Sequence, residues 1–193
     1  MNLKELIRKN RSYRRFDQRQ PIALQTLEEL VELARFSASA SNLQPLKFVL
    51  SVDPAMNARI FADLRWAGYL PEWGGPKEGE HPTAYIIMLT DTEIRKEAGT
   101  DVGIMAQSMM LGAVEKGLGG CMLGAIDRED LRRVLELPER YAISLVLALG
   151  VPAETVVLED VGPDGSIKYY RDAQDVHHVP KRPLDELILR RIG

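Results

Sequence analysis

The sequence predicts one domain that combines helices with strands, and three observations support this. At 193 residues the chain is long enough to bury a sizeable core and short for two independent domains. Its composition, 45% hydrophobic and 27% charged, is that of a folded chain rather than a disordered one. Apolar residues recur at helical spacing in some windows and run on without interruption, as in buried strands, in others.

The elements follow in order. Residues 3–9 read as a short helix, and residues 11–17 as a dense basic turn. Thr26 with Glu29 reads as a capping box for a second helix, whose Leu27, Leu30, Val31 and Ala34 form a buried stripe. Residues 37–42 are small and mostly polar and make a loop closed by Gln44 and Pro45. Residues 46–52 are a strand candidate, and Pro54 opens a helix running to about residue 66. Pro71, Gly74, Gly75, Pro76 and Gly79 break regular structure across residues 68–82, which predicts a mobile surface segment. Trp66, Tyr69 and Trp73 accompany it and have two readings: they pack the loop onto the domain, or they line a place where something flat binds.

Residues 84–90 form a strong strand. The helix predicted over residues 100–116 is apolar nearly all round, with Gln107, Ser108 and Glu115 as its clear polar breaks. A helix with no wet face has to be covered on every side, by its own chain or by a second copy. The expectation is a dimer interface, where Gly103, Ala106, Gly112 and Ala113 permit close approach. Residues 117–120 end that helix, residues 121–125 read as a buried strand, and Asp127 caps a short helix to residue 135. Residues 142–150 are another strong strand, and Pro163, Asp164 and Gly165 make a turn between two weaker extended segments. Leu184, Leu187, Ile188 and Ile192 give the C-terminus an amphipathic pattern suited to docking on a neighbouring subunit.

Several function classes drop out. A net charge of -3 supplies no global field for nucleic acid or an anionic membrane. The longest apolar stretch, residues 142–151, is far short of the roughly 20 residues that a bilayer helix needs. The charged N-terminus has no signal-peptide core, so a cytoplasmic location is expected. Cys121 is the single cysteine, which excludes an intrachain disulfide, and His81, His177 and His178 fall into no metal-binding motif. The glycine-rich stretch after Lys116 follows a helix and precedes a strand, the reverse of a dinucleotide fingerprint.

What remains points to an anion site. Arg11, Ser12, Arg14 and Arg15 put three guanidiniums and a hydroxyl within five residues, a phosphate clamp by donor chemistry, although such a cluster also reads as a solvated face. Lys181 and Arg182 supply a second basic pair near the other end of the chain. Between them lie Ser39, Ser41, Asn42 and Gln44, short polar groups able to meet hydroxyls or a ring edge.

Four segments, in this order and spacing, carry a resemblance. They are R-S-x-R-x-F at residues 11–16, S-x-S-N-x-Q-P at 39–45, D-x-G-x-x-x-Q at 101–107 leading into G-L-G-G-C at 117–121, and P-L-x-E-L at 183–187. With them the sequence resembles the nitroreductase family of FMN enzymes over nearly its whole length. The resemblance implies an α+β fold with a mostly antiparallel central sheet flanked by helices, in an intertwined homodimer with FMN at the subunit interface. It implies an FMN-binding domain over residues 1–180 and a tail, residues 181–193, that completes the phosphate site and docks on the partner. By motif position, Arg11, Ser12 and Arg14 hold the phosphate and the pyrimidine edge, with Lys181 and Arg182 completing the phosphate site. Ser39, Ser41 and Asn42 reach the partner's flavin, Gln44 is a further cofactor-binding candidate, and the backbone at Leu123, Gly124 and Ala125 faces the flavin's reactive edge. Trp66, Tyr69 and Trp73 become a substrate wall that selects flat, electron-poor acceptors by stacking. Two departures stand out: Asn10 where the family commonly has arginine, and Ala38 where it often has proline.

The implied activity is hydride transfer from NAD(P)H, by a ping-pong mechanism, to acceptors such as nitroaromatics or quinones. The cofactor carries that chemistry, so no protein nucleophile or base is nominated. Dehalogenation, enone reduction, flavin cleavage, or a regulatory flavin-binding dimer without turnover are the alternatives on the same scaffold.

Overall fold

In the computed structural model, which describes residues 1–193, strand β2 (Ala84–Asp91) is buried along its whole length and organises the rest. Side chains alternate across a strand. Ala84, Ile86 and Met88 therefore join one hydrophobic cluster, and Tyr85, Ile87 and Leu89 join a second on the opposite face. That is why β2 reads as a continuous apolar run instead of an alternating one.

β2 pairs antiparallel with β1 (Leu46–Ser51) on one side and with β4 (Tyr141–Gly150) on the other. β3 (Gly119–Leu123) closes the sheet against β4, giving the order β1-β2-β4-β3. Helices α2 (Leu24–Arg35) and α4 (Thr100–Glu115) cover one face through Leu27, Leu30, Met105 and Met109. Helices α3 (Pro54–Ala62) and α5 (Arg128–Val134) cover the other through Ile60 and Leu131. The fold is α+β with an antiparallel central sheet between helices. None of the helices is long and apolar enough to cross a membrane.

A smaller sheet, ordered β5-β7-β6, is built from β5 (Val156–Asp160), β6 (Tyr170–Arg171) and β7 (His177–Lys181). Its β5 and β7 run parallel. His178 locks it, with Nδ1 2.8 Å from Glu159 and Nε2 3.1 Å from Asp172. Two carboxylates on one imidazole raise its pKa above the ordinary histidine value. The division between residues 1–180 and the tail 181–193 falls at the last residue of β7.

Several local expectations are corrected. α2 starts at Leu24, two residues before Thr26, with Ala23 at its N-cap and no side-chain cap bond. The capping box belongs instead to α1 (Leu3–Lys9), where Asn2 and Glu5 bond reciprocally at 3.0 Å. α3 stops at Ala62, where the chain leaves it to pair with the segment after β3: Leu64 bridges Ile126, and the Arg65 N–H donates to the Ala125 carbonyl at 3.0 Å.

Residues 11–16 are an extended strap rather than a turn. Ser12 bridges Gly120, Phe16 bridges Pro152, and the Tyr13 N–H donates to the Gly120 carbonyl at 2.9 Å. Phe16 is fully buried and anchors the strap.

α4 is covered on most of its circumference by its own chain. Gly112 lies so close to α2 that an added Cβ would stand 2.3 Å from Leu33 and 3.1 Å from Leu30. Gly103, Ile104 and Gln107 remain as an exposed stripe. The C-terminal pattern yields only a short helix, α6 (Leu184–Leu187), with Leu189 97% and Ile192 83% exposed.

Candidate functional site

The extended strap decides which basic residues share a site. Beyond Tyr13 its side chains alternate, and so Arg14 and Arg15 part to opposite sides. Arg11, Ser12 and Arg14 line a cavity of about 290 Å³. Arg15 leaves it, pairing with Asp175 and with Glu80 at 3.5 Å. From the far end of the sequence, Lys181 at the end of β7 lines the same cavity. No aspartate or glutamate does, and Met110, Met122, Tyr169 and Val179 supply apolar surface beside the cations.

Asn10 and Gln107 also face the cavity, joined by a 3.3 Å bond from Asn10 Nδ2 to Gln107 Oε1. Asn10 therefore ties the end of α1 to α4.

The guanidiniums are fixed before any ligand arrives. Arg11 Nη2 donates to the Ile7 carbonyl at 2.8 Å, and burial lowers its pKa below the ordinary guanidinium value. Arg14, 8% exposed, lies over the Tyr169 ring at 4.8 Å and donates from Nη1 to the Ser12 carbonyl at 3.2 Å. The same Nη1 lies 3.3 Å from His177 Nε2. Arg11 Nε and Arg14 Nε are buried without a hydrogen-bond partner. Buried unpaired donors of this kind are costly and rare, and they suit a site that receives an acceptor.

His177 is 1% exposed and lines the cavity. Its burial, then the nearby Arg14 and Arg171 charges, push its pKa down to about 4, so the ring is neutral near pH 7. Glu154 holds this arrangement from behind. Its Oε1 accepts the backbone N–H groups of Arg14 and Arg15, and its Oε2 accepts from Arg171 Nη2 at 2.7 Å. Cys121 lies under the same wall, with burial pushing its thiol pKa up, which leaves it an unreactive thiol.

The other sequence-derived residues fall elsewhere. Arg182 lies outside the cavity lining and pairs with Glu186. Ser39, Ser41, Asn42 and Gln44 do not line the cavity of their own chain. The Ser39 hydroxyl is spent internally: it donates to buried Asp101 at 2.5 Å and accepts from the Gln44 N–H at 2.9 Å. Ser41, Asn42 and Gln44 all have positive φ, near 50°, so this clamp maintains a strained loop that leaves the Ser41 and Asn42 side chains exposed. Leu123 is buried at the end of β3, while Gly124 and Ala125 are exposed beyond it.

The three loop aromatics separate. Trp66 packs against Phe61 at 5.7 Å and beneath Gly75, where a Cβ would come within 2.8 Å of its ring. Trp73 sits between Arg171 at 4.4 Å and Arg15 at 5.8 Å. Both pack the loop onto the domain. Only Tyr69 connects to the cavity, donating its N–H to Tyr169 Oη at 3.2 Å with the two rings 5.0 Å apart.

Sequence reading missed Glu154, Tyr169 and His177. No motif marks them; the register of β7 against β6 sets Arg171 opposite His177, and Glu154, just before β5, reaches the strap by accepting the Arg14 and Arg15 N–H groups.

Comparison with known proteins places this site in context. The chain is similar to a Thermus thermophilus protein named NADH dehydrogenase, at 30% identity over 174 residues covering 76% of this chain and 84% of that one. Its fold is similar to a nitroreductase family protein from Streptococcus pneumoniae TIGR4, with a TM-score of 0.70 and 19% identity over 98% of this chain and 100% of that one. It is also similar to an FMN-dependent nitroreductase from Clostridium difficile R20291, with a TM-score of 0.64 and 20% identity over 79% and 88% of the two chains. The family model described as Nitroreductase family matches residues 7–151, from the end of α1 through all four strands of the central sheet. The chain belongs to the nitroreductase family.

Proposed function

We propose that this protein is an FMN-dependent oxidoreductase that takes hydride from NAD(P)H and delivers it to small electron-poor acceptors such as nitroaromatics or quinones. The observation that carries the reading is the meeting of Arg11, Arg14 and Lys181, from opposite ends of the chain, on one cavity without a carboxylate. Fixed guanidinium and ammonium donors beside an apolar wall fit a phosphate joined to a flat ring. The buried, unpartnered Nε atoms of Arg11 and Arg14 fit the same ligand.

When bound, FMN supplies the two-electron hydride chemistry. The chain binds and orients it. Arg11, Ser12 and Lys181 hold the phosphate, and Arg14, backed by Glu154, places a permanent cation where a fixed charge favours the more negative cofactor form. Gly124 and Ala125 are exposed at the end of β3 and keep the role of facing the reactive edge. Tyr69 is the aromatic assigned to the acceptor, because it is 48% exposed and rests on Tyr169 at the cavity. Donor and acceptor use one open face in turn, which gives ping-pong kinetics.

A second copy completes the site. Ile104 on the exposed α4 stripe and the uncovered Leu184, Leu187, Leu189 and Ile192 are apolar surface that a homodimer would bury. The Ser41 and Asn42 loop, uncommitted on its own chain, then serves the partner's cofactor.

The test is direct. Anaerobic protein loaded with FMN is expected to bleach with NADH or NADPH and to recover its colour when a quinone or nitroaromatic is added. Protein that stays yellow with both donors is not this enzyme but a flavin binder.

A further inference from the structure

His177 and Arg14 are each other's partners across the wall of the cavity, with Arg14 Nη1 3.3 Å from His177 Nε2. A guanidinium has only donors, so this contact requires Nε2 to accept and the imidazole to carry its single proton on Nδ1. That Nδ1 is buried without a partner. The groups around the ring are almost all cationic. Arg14 faces it from the strap, Arg171 from the paired position on β6, and His178 from the next position on β7. Lys181 and Arg11 line the same cavity, and Tyr169 lies 5.2 Å from the ring, tilted against it. The nearby carboxylate of Glu154 is already committed to Arg171 and the strap.

We propose that His177 is the resting partner of Arg14 and becomes a further cation of the site, taking one proton from water when a phosphate dianion enters the cavity. The proposal rests on the cofactor reading above. A phosphate monoester brings up to two negative charges. Arg14 turns Nη1 to the incoming cofactor and releases Nε2, while Arg11, Ser12 and Lys181 hold the anion on the same wall. The anion then offsets the repulsion from Arg14 and Arg171 that, together with burial, keeps the ring neutral at a pKa of about 4. His177 thereby senses the phosphate and not the ring.

Proton NMR tests this without reference to turnover. The His177 Cε1–H signal is identified by its loss in His177→Gln, which keeps an acceptor for Arg14 but cannot be protonated. If that variant does not fold, the signal is identified by exclusion, as the one that remains in both His81→Gln and His178→Gln. Titration of the full chain is expected to give a midpoint near 4 in the apoprotein, a rise of about three pH units with saturating FMN, enough to charge the ring near neutrality, and no rise with riboflavin, which lacks the phosphate; a smaller rise leaves the ring neutral and overturns the proposal. FMN that binds, by fluorescence quenching, with the midpoint unmoved overturns the role of His177 alone. An equal rise with riboflavin also overturns it, since the phosphate would not be the cause. Failure of the apoprotein to bind FMN at all overturns the cofactor reading, and this proposal with it.

Discussion

Glu154 and Arg171 form a buried ion pair at 2.7 Å, with side chains 2% and 10% exposed, and the same carboxylate accepts the backbone N–H of Arg14. One residue therefore links the small sheet to the strap that presents Arg14. Breaking one side of a buried pair costs about 3–5 kcal/mol, because the remaining charge stays in a poor solvent. Glu154→Gln keeps the shape and an acceptor for the strap but leaves Arg171 with only the longer pairing to the more exposed Asp175 at 3.6 Å. Urea denaturation is expected to show a loss of this size, and FMN affinity is expected to fall with it.

Lys181 and Arg182 are neighbours in sequence and not in role. Lys181 lines the cavity, whereas Arg182 pairs with Glu186 outside it. A charge-assisted hydrogen bond contributes about 1.5–3 kcal/mol. Lys181→Ala is accordingly expected to weaken FMN binding by about tenfold to a hundredfold and to leave riboflavin binding unchanged. Arg182→Ala is expected to change neither, as fluorescence titration of the two apoproteins would report.

Asp63 carries a pH dependence. It is 5% exposed at the end of α3, and burial, then the proximity of Asp130 and Asp127, push its pKa up to about 6. A carboxyl whose folded pKa exceeds its unfolded value near 3.9 binds its proton more tightly when folded. Its favourable contribution is therefore complete below that unfolded value and is lost as pH rises through about 6. Asp63→Asn is expected to melt higher than the wild type at pH 7.5. The gap should narrow toward pH 5 in a thermal melt series.

Tyr69 and Trp73 separate the two readings of the aromatic loop. Trp73 lies between two guanidiniums, and each such contact contributes about 0.5–1 kcal/mol at a partly exposed site. Trp73→Ala is expected to loosen the loop, seen as faster amide exchange over residues 68–82. Tyr69→Ala is expected to change the kcat/KM ratio between quinone and nitroaromatic acceptors while FMN stays bound. An unchanged ratio removes Tyr69 from the acceptor site.

Local chemistry is enough to specify β2 and β4, because each is a run of apolar, largely branched side chains with members in the hydrophobic clusters on both faces of the sheet. It also specifies α4, and Arg11, Ser12 and Arg14 as a cluster of hydrogen-bond donors, since hydrophobic period and donor chemistry are properties of neighbouring residues. Tertiary structure alone decides that Arg15 turns away while Arg14 turns in, because an extended strap sends adjacent side chains to opposite sides and only the surface beneath it says which side is the cavity. It decides likewise that Lys181 enters and Arg182 does not, and that Trp66 and Trp73 pack the loop. Glu154, Tyr169 and His177 reach Arg14 only through the pairing of strands more than a hundred residues beyond it. Such contacts depend on chain topology, which no local spacing encodes.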